Sequence, residues 1–197
     1  MKDIFTGKFV RLSALDPEEI GKAFARWKLN SEYARLLNST PFRMESAKSA
    51  AQWMAKEIEE MSPASYYFSI RTLADDKLIG DIGLDVVNWP GRDAFVGLGI
   101  GETEYWNKGY GTDVMNVLLR FAFTEINLRR VTLTVFEYNP RAIRSYEKAG
   151  FRYEGHLRNF LNREGRRWNE SYMGILREEW MELNDQAPSA VSGAGVS

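Results

Sequence analysis

The chain has 197 residues, of which 44% are hydrophobic and 27% are charged, as is usual for one globular domain with a sizeable core. The 26 Lys and Arg residues almost balance the 27 Asp and Glu residues, so the sequence has no overall positive field that would hold a nucleic acid. It has no cysteine and one histidine, which excludes disulfides, thiolate metal sites and cysteine nucleophiles and leaves little for a zinc site. No stretch approaches about 18 consecutive apolar residues and the N-terminus has no leader pattern, so we expect a cytoplasmic protein without a membrane, nucleic-acid or metal partner.

The first half of the chain predicts helices followed by antiparallel strands. A first strand ends at Asp16-Pro17, a pair that caps and begins a helix reaching about Lys28. Residues 31–42 indicate a helical turn and a loop, and residues 45–61 have the apolar spacing of a second helix. Three stretches rich in β-branched and aromatic residues, separated by short turns, then predict an antiparallel meander over residues 66–73, 77–87 and 92–102.

The second half of the chain changes to a strand, helix, strand pattern. Helices are predicted over residues 111–126 and from Asn139 to Gly150, a strand over residues 130–136, and a closing hairpin over residues 151–160 and 166–176. These elements predict one α/β (α+β) domain over residues 1–184, with a mixed, mostly antiparallel sheet of about seven strands flanked by about four helices. Residues 185–197 are of low complexity, and we expect a flexible tail there.

Three glycines alternate with apolar residues in the third strand of the meander. Gly97, Gly99 and Gly101 fall on one face of that strand, because strand side chains alternate between the two faces. Glycine weakens a strand, so three at this spacing indicate that something flat and chain-like lies against the backbone. The alternative is that a helix packs closely over them.

A glycine-containing turn stands directly before the helix at residues 111–126. Gly109 and Gly111 permit positive φ and close approach, so that successive N–H groups converge on an anion at the positive end of the helix. A dinucleotide-binding turn would need a third glycine where Val114 stands, and no Gly-Lys-Ser/Thr is present for a P-loop. The pattern predicts a diphosphate site of another kind, unless the glycines only shape the turn.

Two motifs resemble those of the GNAT superfamily of N-acetyltransferases, and the likeness extends over residues 9–180. The first is Trp106-Asn107-Lys108-Gly109-Tyr110-Gly111, in which Trp replaces the usual Gln or Arg, and the second is the intact run from Asn139 to Phe151. The chain is most similar to the branch that holds the ribosomal-protein N-terminal acetyltransferases (RimJ/RimL) and bacterial spermidine acetyltransferase. The resemblance implies acetyl-CoA as donor, a primary amine (a protein N-terminus or a small amine) as acceptor, and a homodimer.

The resemblance also assigns cofactor-binding residues by position. Asn139 would contact the pantetheine arm, although an Asn before Pro is also a favourable helix cap. The acetyl-pantetheine arm would lie along Gly99, Ile100 and Gly101, and the pyrophosphate on Trp106, Asn107, Lys108, Gly109, Tyr110, Gly111 and Thr112.

Direct acetyl transfer needs a proton donor for the departing thiolate and a route by which the amine loses its proton. Tyr146 stands in the second motif, and a phenol with a reference pKa of about 10 keeps its proton at neutral pH. Without the motif it would be taken for a core tyrosine. Glu102, at the end of the glycine strand, is the candidate base. The alternatives are Asp81 or Asp85 acting through water, or water alone.

The acceptor is expected to enter between residues 27–42 and residues 162–168, whose mixed aromatic and charged side chains do not identify it. A polyamine acetyltransferase is an alternative, and it would need a clustered acidic pocket. Another alternative is a CoA-binding sensor without turnover, against which the retention of Tyr146 argues.

Overall fold

The computed structural model describes residues 3–41 and 43–185. Residues 186–197 of the predicted tail lie outside the described residues, and the division at residue 184 stays a prediction. The strands are β1 (Val10–Ser13), β2 (Ser65–Thr72), β3 (Leu78–Asn88), β4 (Asp93–Ile100), β5 (Arg130–Phe136), β6 (Arg152–Arg163) and β7 (Arg166–Leu176). The helices are α1 (Pro17–Trp27), α2 (Ser31–Leu37), α3 (Ala47–Glu59), α4 (Tyr110–Thr124), α5 (Pro140–Lys148) and α6 (Arg177–Asp185).

The described strands form one sheet in the order β1-β2-β3-β4-β5-β7-β6. Every neighbouring pair is antiparallel except β4 with β5, which is parallel. The predicted meander corresponds to β2, β3 and β4, and the predicted closing hairpin to β6 and β7. The sequence-based prediction of a mixed, mostly antiparallel seven-stranded domain is confirmed.

The number of helices was predicted too low, since the described residues contain six and about four were expected. Helix α2 is only seven residues long and depends on its cap, in which Asn30 Oδ1 accepts hydrogen bonds from the N–H groups of Glu32 and Tyr33. Helix α6 follows β7 directly, with no turn residue between them to mark its start. Its Trp180 packs against Phe123 of α4 with ring centroids 5.5 Å apart, so tertiary packing supports it more than its sequence does.

Both faces of the sheet are covered by helices. Helix α4 buries Val114, Leu118 and their neighbours against Ile82, Leu84 and Val96 of the sheet. The other face is covered by α1, α2 and α3, where Trp27, Tyr33 and Met54 belong to a second, smaller apolar cluster. Strands β3 and β4 therefore have an apolar cluster packed against each of their two faces.

The sheet divides in the middle. Strands β4 and β5 are paired only where Asp93–Phe95 meets Arg130–Thr132. Beyond these three residue pairs β5 continues alongside β7, and β4 continues alongside β3, without pairing with each other. Two strand edges therefore face each other across a gap near the start of α4.

Asp113 ties the first strand to the start of α4. Its carboxylate accepts hydrogen bonds from the backbone N–H groups of Lys8, Phe9 and Val10, at distances from 2.7 to 3.2 Å. Negative charge in the first turn of a helix also interacts favourably with the helix dipole. One carboxylate thus fixes both the N-terminal segment and the end of α4 that faces the gap.

We expect Asp113→Ala to lower the free energy of unfolding by about 2–4 kcal/mol, because three N–H groups lose a charged acceptor. Urea unfolding measures this change. The matched control is Glu18→Ala, which removes a first-turn acid of α1 that is 82% exposed and whose one ion pair with a described residue is to Lys22. This change should cost no more than about 0.5 kcal/mol. Equal losses for the two variants would contradict the anchoring role.

Candidate active site

The gap between β4 and β5 is the mouth of a cleft of about 790 Å³. Its walls are β4, the turn that precedes α4, the second half of β5, one face of α5 and the end of α2. Ten of the predicted site residues line it, namely Gly99, Ile100, Trp106, Asn107, Gly109, Tyr110, Gly111, Thr112, Asn139 and Tyr146. Gly101, Glu102 and Lys108 are not among its lining residues.

One edge of β4 offers backbone hydrogen-bonding groups to the cleft. The N–H of Gly101 donates to the carbonyl of Ile79 on β3, at 2.9 Å. Since backbone groups alternate between the two sides of a strand, those of Leu98 and Ile100 point to the β5 side. There β5 has already separated from β4. An extended ligand with amide groups can therefore pair with this edge as an added strand would.

The start of α4 presents an unpaired set of N–H groups. Asn107 and Gly109 both have positive φ, +59° and +88°, and they turn the chain sharply before Tyr110 begins the helix. Among the described residues, no oxygen accepts a hydrogen bond from the N–H groups of residues 107–112. Convergent N–H groups at the positive end of a helix form an anion site of the kind that the sequence predicts.

Four basic residues border the cleft into which the anion site opens, and sequence reasoning missed them. Lys8, Arg141, Arg144 and Lys148 all line the cleft. The last three belong to α5 and follow an i, i+3, i+7 spacing, which puts them on one face of the helix. That spacing was visible in the sequence and is the signal that would have found them.

Trp106 bridges two walls of the cleft. Its indole Nε1 donates to the carbonyl of Ile100 at 2.8 Å, and the guanidinium of Arg141 lies 3.6 Å from its ring centroid. The side chain thus connects the end of β4 to α5, with a cation–π contact on the α5 side. The Trp that replaces the usual Gln or Arg of the motif therefore braces the end of β4 against α5, and the unpaired N–H groups belong to the residues after it.

The three alternating glycines have three different environments. A Cβ at Gly97 would meet nothing within 4 Å, so this position is open to the cleft. A Cβ at Gly101 would lie 2.0 Å from the ring of Trp27, so the helix-packing alternative explains this glycine. At Gly99 a Cβ would lie 3.0 Å from the Tyr33 hydroxyl oxygen and 3.3 Å from Asp81 Oδ1. The prediction that a chain-like ligand lies over all three glycines is therefore wrong for Gly101, where Trp27 of α1 occupies that place.

Asn139 combines a structural contact with a free donor. Its Oδ1 accepts a hydrogen bond from the N–H of Ala142 at 3.2 Å and caps α5. Its Nδ2 donates to no acceptor among the described residues, although the side chain lines the cleft. Both roles predicted for this residue are compatible with one side-chain position.

Tyr146 is a buried residue whose hydroxyl reaches the cleft. The side chain is only 8% exposed, and its ring packs near Phe151 at 6.1 Å. The hydroxyl forms no hydrogen bond with a described residue, yet it is not fully enclosed. Burial raises the pKa of Tyr146 to about 12, so the phenol keeps its proton throughout the neutral range.

Glu102 is held away from the cleft by a network of donors. Its Oε1 accepts a hydrogen bond from Trp27 Nε1 at 2.8 Å and is paired with Arg26, and Lys77 Nζ lies 3.6 Å from Oε2. Burial alone would raise the pKa of Glu102, but the hydrogen bonds from Trp27 and Arg26 and the charges of Arg26 and Lys77 hold it below its ordinary value. A weakly basic carboxylate outside the cleft is poorly suited to be a general base.

Asp81 lies directly behind the cleft wall. It faces Gly99 across the β3–β4 pair, and its Oδ1 is enclosed without a hydrogen-bond partner among the described residues. Burial raises the pKa of Asp81 to about 7. The hydroxyl of Tyr33, from α2, is enclosed and unpartnered in the same way, and burial followed by the charge of Asp81 raises the pKa of Tyr33 well above its ordinary value.

Within the described part of the chain, no group of three or more His, Asp or Glu side chains is arranged to hold a metal ion. No helix of residues 3–41 and 43–185 is long and apolar enough to cross a membrane. The homodimer implied by the resemblance stays a prediction.

Known proteins share this fold and this sequence pattern. The family described as "Acetyltransferase (GNAT) domain" matches residues 10–152. An uncharacterized N-acetyltransferase, YokL, of a Bacillus subtilis prophage is 29% identical over 181 residues, which are 91% of this chain and 96% of that protein. Spermidine N(1)-acetyltransferase of Vibrio cholerae is 32% identical over 112 residues, 57% of this chain and 64% of that enzyme.

Solved structures of acetyltransferases share the fold of this chain. Spermidine N-acetyltransferase from Vibrio cholerae in complex with CoA and spermine superposes with a TM-score of 0.74 and 27% identity, over 87% of this chain and 98% of that one. A GNAT-family acetyltransferase from Bacillus anthracis has the same fold, with a TM-score of 0.73 and 20% identity over 88% of this chain and 98% of that one. The family match extends over most of the domain and includes the cleft from β4 to α5, so the chain belongs to the GNAT acetyltransferase family and is an N-acetyltransferase.

Proposed function

We propose that the protein binds acetyl-CoA in the cleft between β4 and β5 and transfers the acetyl group directly to a primary amine, either a protein N-terminus or a small amine. The observation that carries this proposal is the continuity of the cleft. The unpaired N–H groups at the start of α4 open into the same space as the free edge of β4 and the Tyr146 hydroxyl. Within the family we assign the chain to the branch with RimJ/RimL and spermidine acetyltransferase, on its likeness to the Vibrio cholerae enzyme.

The residues of the cleft fit the chemistry of the donor from one end to the other. Bound acetyl-CoA supplies an activated thioester. The N–H groups of Asn107 and of residues 109–112, with the cations of Arg144 and Lys148, suit its phosphates. The backbone groups of Leu98 and the N–H of Ile100 suit the amides of the pantetheine arm, since the Ile100 carbonyl already accepts from Trp106. The Nδ2 of Asn139 is a further donor to this arm. Lys108 and Gly101 shape the turn and the strand end without lining the cleft.

Tyr146 is proposed to be the proton donor for the leaving sulfur. With its pKa near 12, the phenol is protonated and donates a hydrogen bond to the sulfur as negative charge develops there. A hydroxyl that is free of protein partners and directed into the cleft supports this role, and it argues against a sensor without turnover. We propose a structural role for Glu102, which joins α1 to the end of β4 through Trp27 and Arg26.

The charges that line the cleft bear on the acceptor. Four cations, Lys8, Arg141, Arg144 and Lys148, accompany two acids among the lining residues, Asp113 and Glu170. The carboxylate of Asp113 already binds three N–H groups. A polyamine with several positive charges would favour a more acidic lining, so a peptide N-terminus or a small monoamine fits better. The polyamine alternative is supported by the likeness to the Vibrio cholerae enzyme alone.

The proposed function predicts that amines release CoA thiol from acetyl-CoA in the presence of the purified protein. A suitable panel is spermidine, benzylamine and a hexapeptide with a free N-terminal Ser, with the N-acetylated hexapeptide as the matched control. We expect turnover with the free peptide or benzylamine above that with spermidine. Preference for spermidine would establish the polyamine alternative. CoA binding without thiol release from any amine would contradict enzymatic function.

Tyr146→Phe is expected to lower kcat about 10²-fold while the affinity for CoA, measured by calorimetry, changes less than about twofold. Tyr153→Phe, an exposed tyrosine of β6 outside the cleft, is the control and should leave kcat unchanged. Because the pKa of Tyr146 is near 12, the wild type should show no loss of rate from this group as the pH rises to about 10. Equal kcat values for the Tyr146→Phe variant and the wild type would exclude the proton-donor role.

A further inference from the structure

Behind the amine side of the cleft, the structure holds two oxygens without partners. Tyr33 Oη and Asp81 Oδ1 are both enclosed, and neither forms a hydrogen bond with a described residue. An enclosed carboxylate oxygen without a donor is unfavourable, since unsatisfied buried polar groups cost free energy. Such unsatisfied groups in a native structure call for an explanation, such as a ligand, a water molecule or a catalytic role.

The two oxygens approach each other at Gly99 of β4. A Cβ at Gly99 would lie 3.0 Å from Tyr33 Oη and 3.3 Å from Asp81 Oδ1, so both oxygens approach the same face of Gly99, more closely than a side chain there would allow. Gly99 and Tyr33 line the cleft, whereas Asp81 stands behind them. Of the two residues with unpartnered oxygens, Tyr33 is therefore the one that borders the cleft.

The charged groups around Asp81 do not neutralise it. No lysine or arginine among the described residues forms an ion pair with it. Ser69 lies opposite Asp81 on β2, and Arg71, further along β2, is paired with Glu19 of α1. No cation among the described residues therefore stabilises the ionised form of Asp81.

Three further groups complete these surroundings. Tyr67 of β2 donates to Asp85 Oδ2 at 2.8 Å, and Asp85 lies further along β3 on the same face as Asp81. Glu57 of α3 adds negative charge near Tyr67. On the α1 side, Arg26 is occupied by Glu102. Asp85 therefore has a side-chain partner and Asp81 has none among the described residues, although both lie on the same face of β3.

We propose that Asp81 receives the proton lost by the acceptor amine, through the Tyr33 hydroxyl and one water molecule that bridges the two oxygens. This inference rests on the proposed function and adds to it the group that takes the proton. As the new C–N bond forms, Tyr33 takes a proton from the amine nitrogen and passes its own to the water, which passes one to Asp81 Oδ1. Tyr146 gives its proton to the sulfur as the C–S bond breaks. Solvent then returns the proton from Asp81 to Tyr146, so the amide and the thiol are formed without net change in the protein.

The relay has a defined pH dependence. Burial sets the pKa of Asp81 near 7, so the carboxylate is the base above that pH and is protonated below it. We expect the kcat of the wild type to rise with pH through a midpoint near 7 and then to level off. The turnover measurement uses the amine of the panel above with the highest rate.

Asp81→Asn is expected to lower kcat at pH 8 about 10²-fold, to abolish the rise near pH 7 and to leave CoA affinity within about twofold. Tyr33→Phe should have a similar effect, and the double variant should be no slower than the slower single variant, because both act in one step. The control is Asp85→Asn, the same change on the same face of β3, which should stay within about threefold of the wild type. A wild-type rate independent of pH, or an Asp85→Asn loss equal to that of Asp81→Asn, would overturn the relay.

A second measurement needs no amine. Because the folded protein disfavours ionised Asp81, the wild type should lose thermal stability relative to Asp81→Asn as the pH rises from about 4 to about 7, with a constant difference above that. A difference in Tm that does not change with pH would show that Asp81 is solvated and would overturn the proposal. If the wild type acetylates no amine, the proposed function fails. If it does so and both single variants remain within about threefold, the relay alone fails.

Discussion

The separation of β4 from β5 after three residue pairs is the constraint on which the site depends. A continuous ladder would have used the backbone groups of both strands, and neither a cleft nor a free edge would exist. Because β5 is held by β7 and β4 by β3, the two edges stay apart without loss of their outer hydrogen bonds. The unpaired inner edges are a cost of folding that an extended, amide-containing ligand can offset.

The position of α4 follows from the same division. The helix begins where the sheet opens, and Asp113 fixes this end by binding the backbone of Lys8, Phe9 and Val10. Trp106 joins the end of β4 to Arg141 on α5, so that three elements surround the anion site. The rigid frame lets the unpaired N–H groups of the turn be arranged before any ligand arrives, which reduces the cost of binding.

Local patterns in the sequence predicted most of the fold and the donor end of the site. A few neighbouring residues are enough to predict the alternating strands, the Asn139 cap and the glycine turn. The rest depends on packing between distant segments, and no local pattern contains it. Gly101 is a glycine because Trp27 lies over it, and Glu102 is held away from the cleft by Arg26 and Trp27. The approach of Asp81 and Tyr33 to Gly99 likewise brings together three separate elements. Helix α6 likewise depends on the contact of Trp180 with Phe123.

The central claim is that the divided sheet and the start of α4 together hold acetyl-CoA. Amide hydrogen exchange, measured with and without acetyl-CoA, tests this directly, because each bound N–H group should exchange more slowly. We predict slower exchange at Leu98, Ile100, Asn107 and residues 109–112, with little change in the β6–β7 hairpin. Binding of acetyl-CoA that leaves these amides unchanged and protects another surface would contradict the account.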